Sequence, residues 1–350
     1  MSNTLEARRV RRLPIILVLF FIVLALAACG VLYWLNQAPL GMPPSTVVDV
    51  QKGESFRDIA HKLQRHDLIK SALFLEAYSI ATKTAGELKV GRYDIERGAT
   101  TVEIHSILVS GRQILVRVTI PEGWTLKQIA ERLQSEKIVS APDFLKAARS
   151  PLLLKELGIP LDSAQGFLFP DTYLFPEHYP AEQVVRTMAA DFTRHLSMIY
   201  PDYRSLTPEE LAQKVIMASI VEGEYRVASE APIIASVFYN RLKIDMRLES
   251  CATVEYVLTD VLGWPHQTRL YDKELWVPSP YNTYRHSGLP PGPINEPGNV
   301  ALRAAFFPAS TKYLYFVLKD PVTGEHFFSV SYAAHELAKY RYLSLYLKQY

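Results

Sequence analysis

Leu13 to Leu35 runs for 23 residues without one charged side chain, and no other feature constrains the chain as much. A helix of that length crosses a bilayer with some tilt. Arg8, Arg9, Arg11 and Arg12 come just before it, and basic flanks stay on the cytoplasmic side. The pattern predicts residues 1–12 as a cytoplasmic tail, 13–36 as a single transmembrane helix and 37–45 as a linker. The rest then lies outside the cytoplasm. Two other routes stay open. Leu26-Ala27-Ala28-Cys29 has the small residues of a lipoprotein processing box, and a cleaved signal starts the same way. The apolar run continues past Cys29 through Val31-Leu32-Tyr33-Trp34-Leu35, which favours a retained helix. Every route exports the body.

That body is almost neutral. The whole chain carries 38 Lys and Arg against 36 Asp and Glu; beyond residue 12, 34 bases face 35 acids. Such a surface has no electrostatic footprint for nucleic acid and suits a weakly charged polymer. The two cysteines are Cys29 and Cys251. With one in the membrane segment, neither an intrachain disulfide nor a structural zinc site is expected. The nine histidines include no HExxH, and no GxSxG occurs, so metal-dependent or serine peptidase chemistry has little support. No cofactor and no metal are expected.

An internal repeat organises the chain beyond the membrane segment. Val50, Gly53, Phe56, Ile59, Ala60 and Leu63 recur 70 residues on as Ile120, Gly123, Leu126, Ile129, Ala130 and Leu133. Each copy reads as a β-branched strand (Thr46–Val50, Val116–Ile120), a glycine turn, and a Ser- or Thr-capped helix with apolar spacing i, i+3, i+4, i+7. The unit looks like half of a LysM module, a small glycan-binding fold; for the first copy glycan contact and a plain packing role stand equal, and for the second the packing role is favoured. A helical pattern then covers Ala181 to about Ile199.

The chemistry is expected in the next helix. Thr207-Pro208-Glu209-Glu210 is a strong start, with Thr207 as cap, Pro208 in the first turn and Glu210 closing a capping box. Leu211, Val215 and Ala218 form an apolar stripe whose next position is Glu222. A carboxyl group on such a face loses hydration, which raises its pKa toward that of a general acid. Glu224 lies roughly 200° further round the helix, so it serves as a partner to an Arg or as a supporting group. Ser229 is the candidate cap of the following helix, which ends near Asn240. Pro278–Asn299 then forms a loop with six prolines, stiff enough to present Tyr281, Asn282, Thr283 and Tyr284 to sugar faces and hydroxyls. His326 and His335 lack ligand-like spacing and read as structural.

Ala218-Ser219-Ile220-Val221-Glu222-Gly223-Glu224, Ala235 to Leu242, Met246-Arg247-Leu248, Pro280 to Tyr284, Gly288 to Ile294 and Tyr313 to Val317 together resemble the endolytic murein transglycosylase (MltG, YceG-like) family. The resemblance implies an α+β protein: a transmembrane helix, a LysM-like subdomain over 46–115 and a catalytic domain over 116–350. It implies a single-pass inner-membrane protein with its catalytic domain in the periplasm, working on nascent peptidoglycan strands beside cell-wall synthases, the penicillin-binding proteins. Glu222 matches the family's catalytic acid. The implied substrate-binding residues are Glu224, Arg247, Tyr281, Asn282, Thr283, Tyr284, Leu289 and Pro290. Where the family usually has acids, this chain has Gln165 and Cys251, and a non-catalytic glycan-binding scaffold is the alternative reading.

Overall fold

The structure is a computed structural model that describes residues 3–51, 53–266 and 270–349, with side chains from residue 17 to 342 within those ranges. Of the expected cytoplasmic tail, Met1 and Ser2 lie outside the described residues. The chain divides into two compact units, 1–115 and 116–350.

The first unit opens with helix α1 (Asn3–Asn36). Its stretch Leu17–Asn36 has a mean hydropathy of 2.6 and none of it is buried, which fits a transmembrane anchor. Then come β1 (Ser45–Val50), α2 (Phe56–Arg65), α3 (Ala72–Ala81), β2 (Gly91–Glu96) and α4 (Thr101–Ser110). Strands β1 and β2 pair antiparallel, with Ser45 opposite Glu96 and Val50 opposite Gly91. Alternation along β1 sends Val48 and Val50 inward, where Ile59, Leu63, Tyr93, Ile95 and Leu108 complete the core. The end of α1 is fastened to this unit. Lys70 Nζ donates to the Trp34 carbonyl at 3.0 Å and sits 4.6 Å above the Trp34 ring. The Val102 amide donates to Asn36 Oδ1 at 3.0 Å.

The second unit contains β3 (Leu115–Thr119, its first residue on the boundary), α5 (Leu126–Ser135), α6 (Ala141–Ala147), α7 (Pro151–Leu157), β4 (Thr172–Pro176) and α8 (Ala181–Ile199). It continues through α9 (Pro208–Glu224), α10 (Ala231–Lys243), α11 (Cys251–Tyr256), α12 (Asn299–Phe306), β5 (Tyr315–Leu318), β6 (His326–Ser329) and α13 (Tyr332–Gln349). β3 pairs with β4, and β5 with β6. Small sheets among many helices make an α+β fold, as expected.

Both repeat copies fold alike. Gly53 and Gly123 turn at φ 93° and 76°, conformations that suit glycine. Ser55 and Thr125 then cap α2 and α5 through capping boxes closed by Asp58 and Gln128. Helix α9 starts as the sequence predicts: Thr207 accepts from the Glu210 amide and Glu210 answers to the Thr207 amide. Its burial is wider than a stripe, because every residue from Val215 to Val221 is buried. Helices α10 and α12 both pack on it, so α9 is the central helix of the unit. One expectation needs correction. Ser229 caps nothing; it lies in a single 3₁₀ turn, Ala228–Glu230, and α10 starts from Glu230 without a side-chain cap. The proline-rich loop also runs through the interior, since Gly292 through Gly298 are buried.

Candidate active site

Glu222 lies in the last turn of α9, where the unpaired carbonyl end of a helix already disfavours negative charge. Its side chain is half-buried. The Gly298 amide donates to Glu222 Oε2 at 2.9 Å, and the Tyr225 hydroxyl donates to the same carboxyl group. Burial pushes the Glu222 pKa up to about 7, the negative charge of Glu122 adds to the rise, and the Gly298 and Tyr225 bonds hold it back. At neutral pH the group is therefore divided between acid and carboxylate, as a residue that first gives and then takes a proton requires.

Glu122 comes from the glycine turn of the second repeat copy. A Cβ added to Gly298 would fall 1.8 Å from Glu122 Oε1, so the Glu122 carboxyl lies against the Cα of the residue whose N–H serves Glu222. A Cβ on Gly123 would meet Glu222 Cγ at 3.8 Å. Two carboxyl groups thus flank one glycine. The apolar stripe of α9 does not point to Glu122, but the repeat carries a signal: the corresponding position in the first copy is Lys52, a reversal of charge inside an otherwise matched turn.

Three loops meet at Glu296, which the sequence reading also missed. Its carboxyl group accepts from the Leu168 amide at 2.9 Å and from the Gly166 amide. Its backbone pairs with the turn carrying Glu122: Gly123 N–H to Glu296 O at 2.8 Å, and Glu296 N–H to Trp124 O at 2.7 Å. Glu296 is fully buried, and burial pushes its pKa well above the carboxylate range, against the Leu168 and Gly166 amides that hold it back. It joins segments 122–124, 166–168 and 296–298 around the carboxyl groups of Glu122 and Glu222.

The other expected site residues divide into two groups. Among the described residues Glu224 pairs with no Arg; its Oε1 accepts from the Ser250 hydroxyl and from the Ala252 amide at 3.2 Å, which fastens α11 to the end of α9. Asn282 is fully buried and gives both amide hydrogens to the carbonyls of Leu275 and Val277. Thr283 is buried as well, and its Oγ1 accepts from the Ser250 amide at 3.0 Å and bonds Thr253 Oγ1. Asn282 and Thr283 build the loop from within, because their polar atoms are already occupied, and Pro290 is likewise buried, while Glu224 is half-buried at the end of α9. Tyr281, Tyr284 and Leu289 are half-buried and Arg247 is exposed. Arg247 donates to the Tyr284 carbonyl at 3.1 Å, so these two segments come together. Gln165 is also internal: its Oε1 accepts from the Leu126 amide at 3.1 Å and caps α5. Cys251 is exposed, its Sγ 3.2 Å from the Tyr284 hydroxyl.

A cavity of about 300 Å³ opens beside the end of α9, lined by Gly223, Glu224, Arg226, Cys251, Phe316 and His326. His326 donates its amide to Glu230 and bonds the same carboxylate through Nδ1 at 2.8 Å, a structural pairing. Among the described residues, one trio with metal-ligand chemistry comes together, Asp171, Asp191 and His195. Asp191 is already paired with Arg194, and His195 stacks on Phe169 and bonds Asn299, so the trio reads as a packed polar cluster.

A half-buried acid raised toward neutrality and a second carboxyl group across a glycine make a candidate site for proton transfer. The chain belongs to the YceG-like family, whose model matches residues 48–341. It is 31% identical over 316 residues to the endolytic murein transglycosylase of Bacillus subtilis, covering 85% of this chain and 84% of that protein. It is 29% identical to the protein of that name from Streptococcus pneumoniae, covering 83% of this chain and 57% of that one. The crystal structure of the yceG-like protein lmo1499 from Listeria monocytogenes superposes with a TM-score of 0.56 at 31% identity, covering 84% of this chain and 98% of that one.

Proposed function

We propose that this chain is a lytic transglycosylase that cleaves nascent peptidoglycan strands, with Glu222 as acid and then base. The carrying observation is the Glu222 carboxyl group, half-buried at the end of α9 and raised to a pKa of about 7. Hydrolytic glycosidases use two carboxyl groups, one of them to activate water or attack the sugar. A lytic transglycosylase takes its nucleophile from the substrate. Glu222 gives its proton to the glycosidic oxygen between N-acetylmuramic acid and N-acetylglucosamine as that bond to C1 breaks. The resulting carboxylate takes the proton of the muramic acid C6 hydroxyl as its oxygen closes on C1. The products are a free 4-hydroxyl and a 1,6-anhydro end, and Glu222 is protonated again. Glu122 adds negative charge beside the oxocarbenium-like transition state, and the backbone N–H of Gly298 steadies the carboxylate between the two transfers. Arg247, Tyr281, Tyr284 and Leu289 keep exposed surface with which to meet sugar.

In this reading α1 is retained in the inner membrane with the N-terminus in the cytoplasm, residues 116–350 catalyse, and the strand–turn–helix unit of 46–115 is LysM-like and touches glycan. The partners are glycan strands and the penicillin-binding proteins that make them. Product analysis on uncrosslinked strands tests the reaction. Wild-type protein releases anhydro-ended fragments and Glu222→Gln releases none while still folding; undiminished release by the variant overturns the assignment. Binding without release by the wild type identifies a scaffold instead.

A further inference from the structure

Helix α3 is apolar on both sides. Ala72, Leu75 and Ser79 are buried in the first unit, yet the opposite face carries Leu73, Ala77, Ile80 and Ala81, all exposed. Leu73 and Ile80 are 68% and 70% exposed, and a spacing of seven places them on one line of the helix. The single charge in α3, Glu76, is turned to Arg57 and His61 and leaves that face neutral. A helix apolar all round belongs in a core or against lipid. Here no core covers it. Leu40, in the connection leaving α1, is fully exposed as well.

The position of α3 decides what covers it. Lys70, two residues before α3, donates to the carbonyl of Trp34 and lies over its ring, and α3 and α4 both pack against α1. Tyr33 and Trp34 are exposed at the exit of the apolar run, the residue types that settle at the membrane–water interface. Ten helical residues extend about 15 Å, so no part of α3 lies farther than that from its start beside those rings. Lys70 sets a positive charge at that junction.

We propose that the outer face of α3, together with Leu40, rests in the interfacial layer of the bilayer that α1 spans, so that the first unit lies on the membrane. The surface is continuous with the anchor, it is apolar, and the cation at the junction suits phospholipid headgroups. This rests on α1 being a retained anchor, so the test measures the two separately.

The full-length chain, with Cys29→Ser and Cys251→Ser, is reconstituted into phosphatidylethanolamine–phosphatidylglycerol vesicles. Single cysteines Leu40→Cys, Leu73→Cys or Ile80→Cys carry an environment-sensitive fluorophore. Leu24→Cys inside α1 and Arg65→Cys on the exposed side of α2 serve as references. Flotation with the vesicles and lipid quenching at 24 report the anchor. The expected result is that labels at 40, 73 and 80 are quenched by shallow spin-labelled lipid and are at least threefold less sensitive to aqueous iodide than the label at 65. Flotation with 73 and 80 as open to iodide as 65 overturns the docking and leaves the anchor standing. Labels shielded from iodide but untouched by lipid quencher place a second protein there and also overturn it. A chain that does not float overturns anchor and docking together.

Discussion

Glu222→Gln should do two opposite things, and the second is the sharper test. Moving a carboxyl pKa from an ordinary 4.5 to about 7 means that the folded protein binds this proton more tightly than the unfolded chain does. Below pH 4.5 both states are protonated and the site costs nothing. Between 4.5 and 7 the unfolded chain has lost the proton and the native state keeps it, so stability falls as pH rises. Above 7 the native carboxylate is charged in a place that disfavours charge, and the loss levels off at about 3 kcal/mol. A neutral amide of the same shape escapes that cost. Glu222→Gln should therefore gain on wild type by about 3 kcal/mol between pH 4.5 and pH 8, roughly 6–12 °C in midpoint for a domain of this size, while losing anhydro-product formation. The assay is thermal unfolding of wild type and variant in matched detergent at several pH values, taking the difference between the two at each. A difference that stays flat across this range refutes the claim that the site holds its proton against burial, whatever the activity does.

Tyr225→Phe removes a hydroxyl that lowers the Glu222 pKa, so the alkaline limb of the pH–rate profile should move to higher pH; a shift to lower pH contradicts the arrangement. Gly298→Ala would put a methyl group into the Glu122 carboxyl, whose exposed side chain can swing away. Turnover should fall by about tenfold with little change in midpoint, measured on the same glycan strands. Glu296→Gln should keep the three loops together, whereas Glu296→Ala leaves buried amides unpaired and should cost about 2–4 kcal/mol in urea unfolding. Gly223→Ala would bring a Cβ within 2.5 Å of Ala252 Cβ. Such overpacking costs about 1–3 kcal/mol and should lower the unfolding midpoint.

Local chemistry was legible where it was local. Thr207, Pro208 and Glu210 announce α9 because a capping box is written in four consecutive residues, and the repeat announces its own strand, glycine and cap. Glu222 could be singled out because its apolar neighbours lie on the same helix. Glu122, Tyr225, Glu296 and Gly298 could not be assembled that way: most of their contacts join residues about a hundred or more positions apart, or depend on which way one side chain turns. The same reason separates Asn282 and Thr283 from Tyr281 and Tyr284. Four adjacent polar and aromatic residues look alike as a string, yet the loop turns the middle pair inward to bond Leu275, Val277 and Ser250. Helix α9 looks one-sided in the sequence because its full burial depends on α12, which arrives 75 residues after it ends.

The two copies of the strand–turn–helix unit have unequal freedom. Among the described residues, a side chain at Gly53 would find nothing within 4 Å, whereas one at Gly123 would touch Glu222. An element used twice has become a wall of the candidate site in one place and remained a free corner in the other. Inserted residues or an affinity tag should therefore be accommodated at the first turn with the chemistry intact, and the same insertion at the second should silence it.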